Sequence, residues 1–173
     1  MNRWTAEGSI EIAASAAEVY DLVSDVTGCG AWTAETTGAR WLDGGTGPVV
    51  GGRFVGRNQN GWHRWSTWCR VTAADPGRLF EFQVSWVIPT ALWRYEITPI
   101  ADGSCQVTER TARLVPLAVS RLANLALAGI ADRDGRNRRN IARTLQRLKE
   151  HAEAQALAEI IVQMRRSGDL PQS

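Results

Sequence analysis

The stretch Arg78-Leu79-Phe80-Glu81-Phe82-Gln83-Val84-Ser85-Trp86, answered beyond Pro89 by Trp93-Arg94-Tyr95-Glu96-Ile97, decides the fold of this chain. A period of two places Phe80, Phe82, Val84 and Trp86 on one side of a strand. The same period puts Trp93, Tyr95 and Ile97 on one side of the next. Two adjacent strands that each present rings on one face require an apolar element to cover them.

The neighbouring strands extend that face. On the preceding strand Val71 is the inward residue, so Cys69, Thr67, Trp65 and His63 share its side, while Trp62, Arg64, Ser66, Trp68 and Arg70 point away. On the following strand Val107, Glu109, Thr111 and Arg113 share a face, which sets a carboxylate among aromatic rings. Breaks at Gly44-Gly45-Thr46-Gly47-Pro48, Asn58-Gln59-Asn60-Gly61, Asp75-Pro76-Gly77, Pro89 and Asp102-Gly103 separate strands expected near 39–43, 51–57, 63–73, 78–87, 91–98 and 105–113.

Ahead of this meander, residues 7–14 alternate as a half-buried strand, with Ile10, Ile12 and Ala14 on one face. Ser15 with Glu18 three residues later is a capping box, and Val19, Leu22, Val23 and Val26 then recur at helical spacing, predicting a helix over 16–24. After Pro116 the pattern is helical through Leu117, Leu122, Leu125, Leu127 and Ile130. A polar stretch from Asp132 to Asn140 follows, then a long amphipathic run on Ile141, Leu145, Leu148, Ala152, Ala156, Ile160 and Met164. Gly129 and Gly135 are the expected points of kinking or division, and residues 167–173 are expected to form a disordered tail behind a single domain over 1–166. An antiparallel sheet with helices on one face is an α+β fold, its long C-terminal helix filling the concavity.

Twenty basic against eighteen acidic residues leave a net charge of +2, without the strongly positive field of a nucleic-acid binder. Three widely spaced cysteines, Cys29, Cys69 and Cys105, and two histidines form neither a disulfide framework nor a zinc-ligand pattern, so no metal and no cofactor is expected. The N-terminal segment lacks the continuous apolar core of a signal peptide, and the expected location is cytoplasmic, with reduced thiols. No run reaches the roughly 18 apolar residues of a membrane span. The glycines of Gly44–Gly52 precede no helix and form no nucleotide fingerprint; they read as a mobile loop near a pocket mouth.

The order of elements resembles the helix-grip fold of the START-like (SRPBCC) superfamily, in its polyketide cyclase/dehydrase and lipid-transport branch. The stretches that carry the resemblance are Ile12 to Asp25, Val71 to Phe82, Trp93 to Pro99 and Thr144 to Lys149. The similarity covers about residues 5 to 155, and Ala156 to Ser173 extend past the usual end. The resemblance implies an internal cavity for a hydrophobic small molecule such as a lipid, isoprenoid or polyketide, and some members cyclise or dehydrate what they hold.

The candidate ligand-binding residues are Trp65, Thr67, Phe82, Trp86, Trp93, Tyr95, Glu109 and Thr111. Glu109 is the one candidate acid or base, its pKa open to elevation by burial; the competing reading is a structural ion pair. His63 reads as solvated beside a turn, and the run Asp132 to Arg139 as a solvated helix face. No nucleophile elbow is present. Three functions stay open: a module binding a hydrophobic small molecule between sheet and helix, a cyclase or dehydratase in the same cavity with Glu109, Tyr95 or Thr67 moving a proton, and a protein-interaction module with a filled core. The oligomeric state is open between monomer and homodimer.

Overall fold

A computed structural model describes residues 4–101, 103–118, 120 and 132–167. Seven strands, β1 (Ala6–Ile12), β2 (Thr36–Trp41), β3 (Arg53–Asn60), β4 (His63–Asp75), β5 (Leu79–Ser85), β6 (Pro89–Ala101) and β7 (Ser104–Arg113), form one antiparallel sheet. The order is β1-β7-β6-β5-β4-β3-β2, a meander closed by the first strand against the last. Between β1 and β2 lie α1 (Ala16–Ser24) and a 3-10 turn at Cys29–Ala31, and α2 (Arg133–Ser167) follows the sheet. This is the α+β helix-grip arrangement expected from the sequence.

Local chemistry accounts for the joints. Ser15 Oγ accepts from the Glu18 amide at 3.3 Å while Glu18 Oε2 accepts from the Ser15 amide at 2.7 Å, so the capping box fixes the start of α1. Gly77, at φ 74°, supplies the left-handed residue of the turn between β4 and β5, closed by the Arg78 amide donating to the Asp75 carbonyl. A bulge between Val71 and Ala73 bends β4.

Two boundaries differ from expectation. Asn58, read as a turn residue, is a paired strand residue of β3 opposite Thr36 of β2. The Asn58 amide is satisfied inside the ladder, its Oδ1 accepting from Thr36 Oγ1 at 2.9 Å and its Nδ2 donating to Thr67 Oγ1 at 3.2 Å. The turn shrinks to Gly61-Trp62, between Asn60 and His63. Helix α2 starts at Arg133 and runs unbroken through the polar stretch. Asp132 Oδ1 accepts from the Gly135 amide at 2.9 Å, so Gly135 belongs to the capped first turn and divides nothing. The helical pattern from Leu122 to Ile130, with Gly129, lies outside the described residues, as does the expected tail beyond Ser167.

The core forms where α1 and α2 cover the concave face. Ile12, Val19, Val71, Phe80, Val107, Ile141 and Leu148 are each no more than 1 % exposed. At about 1.5–3 kcal/mol for each large side chain removed from water, they supply most of the drive for closing helix on sheet. The buried apolar stripe of α2 is Ile141, Leu145, Leu148 and Ala152; farther along, Leu157, Ile160, Val162 and Met164 are exposed. The apolar spacing thus continues past the end of the core contact, because the helix outruns the sheet.

Helix and sheet meet closely at Gly8, where a Cβ would stand 2.8 Å from Ile141 Cγ2 and 3.3 Å from Leu145 Cδ1. Gly8→Val is therefore expected to destabilise the fold by about 1–3 kcal/mol through overpacking, read from urea unfolding midpoints. An unchanged midpoint would show that α2 does not depend on this approach.

Candidate functional site: a pocket between the sheet and α2

Tyr95 of β6 and Glu109 of β7 are directly opposed in register, and their side chains share the concave face. Tyr95 Oη donates to Glu109 Oε1 at 2.9 Å, and both residues are buried. Glu109 Oε2, equally buried, has no partner among the described residues. Burial pushes the Glu109 carboxyl up to about 8, with the Tyr95 hydrogen bond opposing the rise. The Tyr95 hydroxyl lies well above its ordinary range, through burial first and the adjacent carboxyl second. At neutral pH the pair is a neutral phenol on a mostly neutral carboxylic acid.

These groups line an inner pocket of about 130 Å³, walled by rings from Phe54, Phe80, Phe82 and Trp93. Phe54 and Phe82 meet edge to face at 5.2 Å, and Trp32 presents its edge to Tyr95 at 6.1 Å. An adjoining outer pocket of about 300 Å³ reaches the β5–β6 turn and ends at half-exposed Trp86 and exposed Val87. Of the residues singled out in the sequence, Phe82, Tyr95 and Glu109 line the inner pocket, Trp86 and Thr111 the outer, and Trp65, Thr67 and Trp93 both.

The geometry corrects the reading of the glycine loop as a pocket mouth and locates the other residues singled out in the sequence. Trp86 lies one residue past the end of β5 at Ser85 and lines the outer pocket together with Val84. Residues Gly44–Gly52 line neither pocket; the Gly51 amide donates to the Val71 carbonyl at 2.9 Å, tying that loop to β4. His63 lines neither pocket and stacks on Trp62 at 4.1 Å. Cys29 and Cys69 do line the inner pocket, with burial pushing their thiols up to about 11 and about 12, so neither is a ready nucleophile.

The run Asp132 to Arg139 is not wholly a solvated face. Glu35, in the loop before β2, accepts from Arg133 Nη1 at 2.6 Å, Arg136 Nε at 3.2 Å and Asn140 Nδ2 at 2.6 Å. Thr144 Oγ1 accepts from the Ala34 amide at 3.0 Å. Arg133, Asn137, Asn140 and Thr144 form one stripe of α2, at spacings of four, three and four, and all line the inner pocket. Asn137 also lines the outer pocket; it is 7 % exposed, and its Oδ1 has no partner among the described residues. The signal was present in the sequence: this polar stripe lies one helical row beside the apolar stripe of Ile141 and Leu145, so it borders the buried face. Among the described residues no group of three or more His, Cys, Asp or Glu side chains is placed to hold a metal ion, and no helix is long and apolar enough to cross a membrane.

Glu109 gives a testable pH signature. Its folded pKa of about 8 lies above the ordinary 4.5, so the native state holds the proton more tightly than the unfolded chain. The contribution is fully present below about pH 4.5 and is lost as pH rises through about 8. Urea unfolding across that window should show the wild type losing stability relative to Glu109→Gln, whose amide does not titrate. Parallel profiles for the two proteins would contradict a buried, neutral Glu109.

Comparison with known proteins agrees with this architecture. No curated protein sequence matches the chain. The solution structure of the polyketide-cyclase-like protein Cgl2372 from Corynebacterium glutamicum is 29 % identical, with 90 % of this chain and 96 % of that one covered and a TM-score of 0.59. KanY is 19 % identical, with coverage of 88 % and 99 % and a TM-score of 0.62. The di-domain ARO/CYC protein BexL of the BE-7585A biosynthetic pathway is 20 % identical over 84 % of this chain but only 45 % of its own, with a TM-score of 0.59. The last two likenesses concern the fold alone. The family model described as polyketide cyclase / dehydrase and lipid transport matches residues 3–153, and the chain belongs to that family.

Proposed function

We propose that this protein binds a hydrophobic small molecule, a lipid, isoprenoid or polyketide-like compound, in the pocket between the sheet and α2. The observation that carries the reading is the pair of adjoining pockets, of about 130 and 300 Å³, joined through Trp65, Thr67, Val84 and Trp93. Flat rings on a rigid sheet offer a ligand large apolar contact at little entropic cost. The family membership supports the same reading, and the pockets favour it over a filled core serving protein interaction. The protein is read as cytoplasmic, its three buried cysteines being free.

One observation favours a second reading, a cyclase or dehydratase. In this reading the protonated carboxyl of Glu109, held by Tyr95, serves as a general acid; its hydrogen bond and its raised pKa support the role. In a dehydration it gives its proton to a departing hydroxyl, which leaves as water. The carboxylate formed then takes a proton from the adjacent carbon, whose C–H electron pair becomes the new double bond, so the acid is regenerated. BexL and StfQ, both ARO/CYC proteins of biosynthetic pathways, share the fold in which this chemistry is proposed here.

Native mass spectrometry of the freshly purified protein, with denaturing extraction of whatever is released, tests the binding reading. A co-purifying apolar molecule is the expected result. A clean apo mass, with no tryptophan-fluorescence response to a lipid and polyketide panel, contradicts it. With a ligand in hand, Trp93→Ala should weaken affinity by about tenfold or more, since it removes a ring from both pockets. Glu109→Gln should abolish turnover while leaving affinity nearly intact if the site is catalytic, and unchanged turnover would remove Glu109 from the chemistry.

A further inference from the structure

Two buried polar atoms of pocket-lining residues have no partner among the described residues: Oε2 of Glu109, which lines the inner pocket, and Oδ1 of Asn137, which lines both. Buried polar atoms are almost always hydrogen-bonded, so two exceptions on residues that line one space point to groups that the occupant supplies. They ask for opposite things. Tyr95 already donates to Glu109 Oε1, which leaves Oε2 to carry the acid proton and seek an acceptor. Asn137 Oδ1 is an amide oxygen and seeks a donor.

We infer that the pocket selects a neutral ring compound with two oxygen functions, a carbonyl accepting the Glu109 proton at the inner end and a hydroxyl donating to Asn137 Oδ1, and that it rejects carboxylates. This rests on the binding reading above and narrows it. The inner volume of about 130 Å³ is close to the roughly 150 Å³ of an apolar cavity that holds benzene, so it takes one six-membered ring. The outer pocket, of about 300 Å³, has room for the rest of a larger molecule.

Charge argues for a neutral ligand. An anionic head beside Glu109 would be buried against a second acid. The basic group lining the same pocket, Arg133, is committed to Glu35, which also takes Arg136 and Asn140. A fatty-acid carboxylate therefore finds no free cation at the inner end among the described residues. The other titratable groups facing the inner pocket are Tyr95 from β6, Cys29 from the 3-10 turn and Cys69 from β4, all raised by burial, and the Glu35–Arg133 ion pair is the remaining charge. Glu109 is then the group whose charge changes near pH 8, and on ionising it turns from donor to acceptor and repels a carbonyl oxygen.

Calorimetric titrations with ethylbenzene, acetophenone, the three hydroxyacetophenones and benzoate, at about pH 6.5 and about pH 9.5, test this. For the wild type, acetophenone affinity relative to ethylbenzene should fall about tenfold between the two pH values, and Glu109→Gln, which keeps an N–H donor, should show no such fall. At least one hydroxyacetophenone should bind about tenfold more tightly than acetophenone, with the gain lost in Asn137→Leu. Benzoate should bind at least tenfold more weakly than acetophenone at the lower pH. A wild-type preference for acetophenone that does not change with pH, a hydroxyl gain that survives in Asn137→Leu, or benzoate binding equal to acetophenone each overturns the inference. The wild-type pH series requires no variant to fold. Ethylbenzene separates the two levels of the argument: if it fails to bind, the pocket reading itself falls, whereas if it binds without any of the polar selectivity, only this inference does.

Discussion

The structure depends on how α2 is seated. Through Ile141 and Leu145 it closes on Gly8 of β1, with a Cβ-scale gap too small for any larger residue at position 8. That contact locates the helix over one side of a curved sheet. Toward the amino-terminal end of α2 the residues turned to the sheet are Arg133, Asn137, Asn140 and Thr144, and there helix and sheet stand apart around a pocket. One helix therefore does two jobs along two adjacent rows, packing with its apolar row and walling a space with its polar row.

The pocket's chemistry follows from the sheet. Antiparallel register sets Tyr95 opposite Glu109 and Trp93 opposite Thr111, so each ring on β6 has a polar neighbour on β7. Burial then acts on those neighbours: it holds Glu109 protonated near neutrality, and the Tyr95 hydrogen bond occupies Oε1 and leaves Oε2 without a partner among the described residues. Glu35 with Arg133, Arg136 and Asn140 ties the loop before β2 to the start of α2, a network that braces the far wall. A buried charged group satisfied by three donors costs far less than one left alone, which is why that wall can be polar without collapsing inward.

Much of this was legible in the sequence, for a physical reason: strand alternation is local. Phe80, Phe82, Tyr95, Val107 and Glu109 fall on the expected face because a period of two leaves no other choice once Val71 or Val107 is inward. The Ser15–Glu18 capping box is equally local. What the sequence does not announce is that β5 ends at Ser85, leaving Trp86 just beyond the strand and half exposed at the edge of the outer pocket. Asn58 reads as a turn residue by type, and only its partners on β2 and β4, distant in sequence, make it a strand residue. The Glu35 network escaped for the same reason, since Glu35 and Asn140 meet across 105 positions of chain. Asn137 was hidden by company: among Arg136, Arg138 and Arg139 it passes for solvated surface, and its burial follows only from the row it occupies on α2.

The central claim is that burial between sheet and helix keeps the Glu109 carboxylic acid neutral near neutral pH. The most direct measurement is a carbon-13 NMR titration of the Glu109 side-chain carboxyl in the ligand-free protein, assigned by comparison with Glu109→Gln. The account predicts a midpoint near 8, far from the ordinary 4.5. A midpoint close to 4.5 would mean that Glu109 is solvated and charged at neutral pH, and the account of the pocket would be wrong.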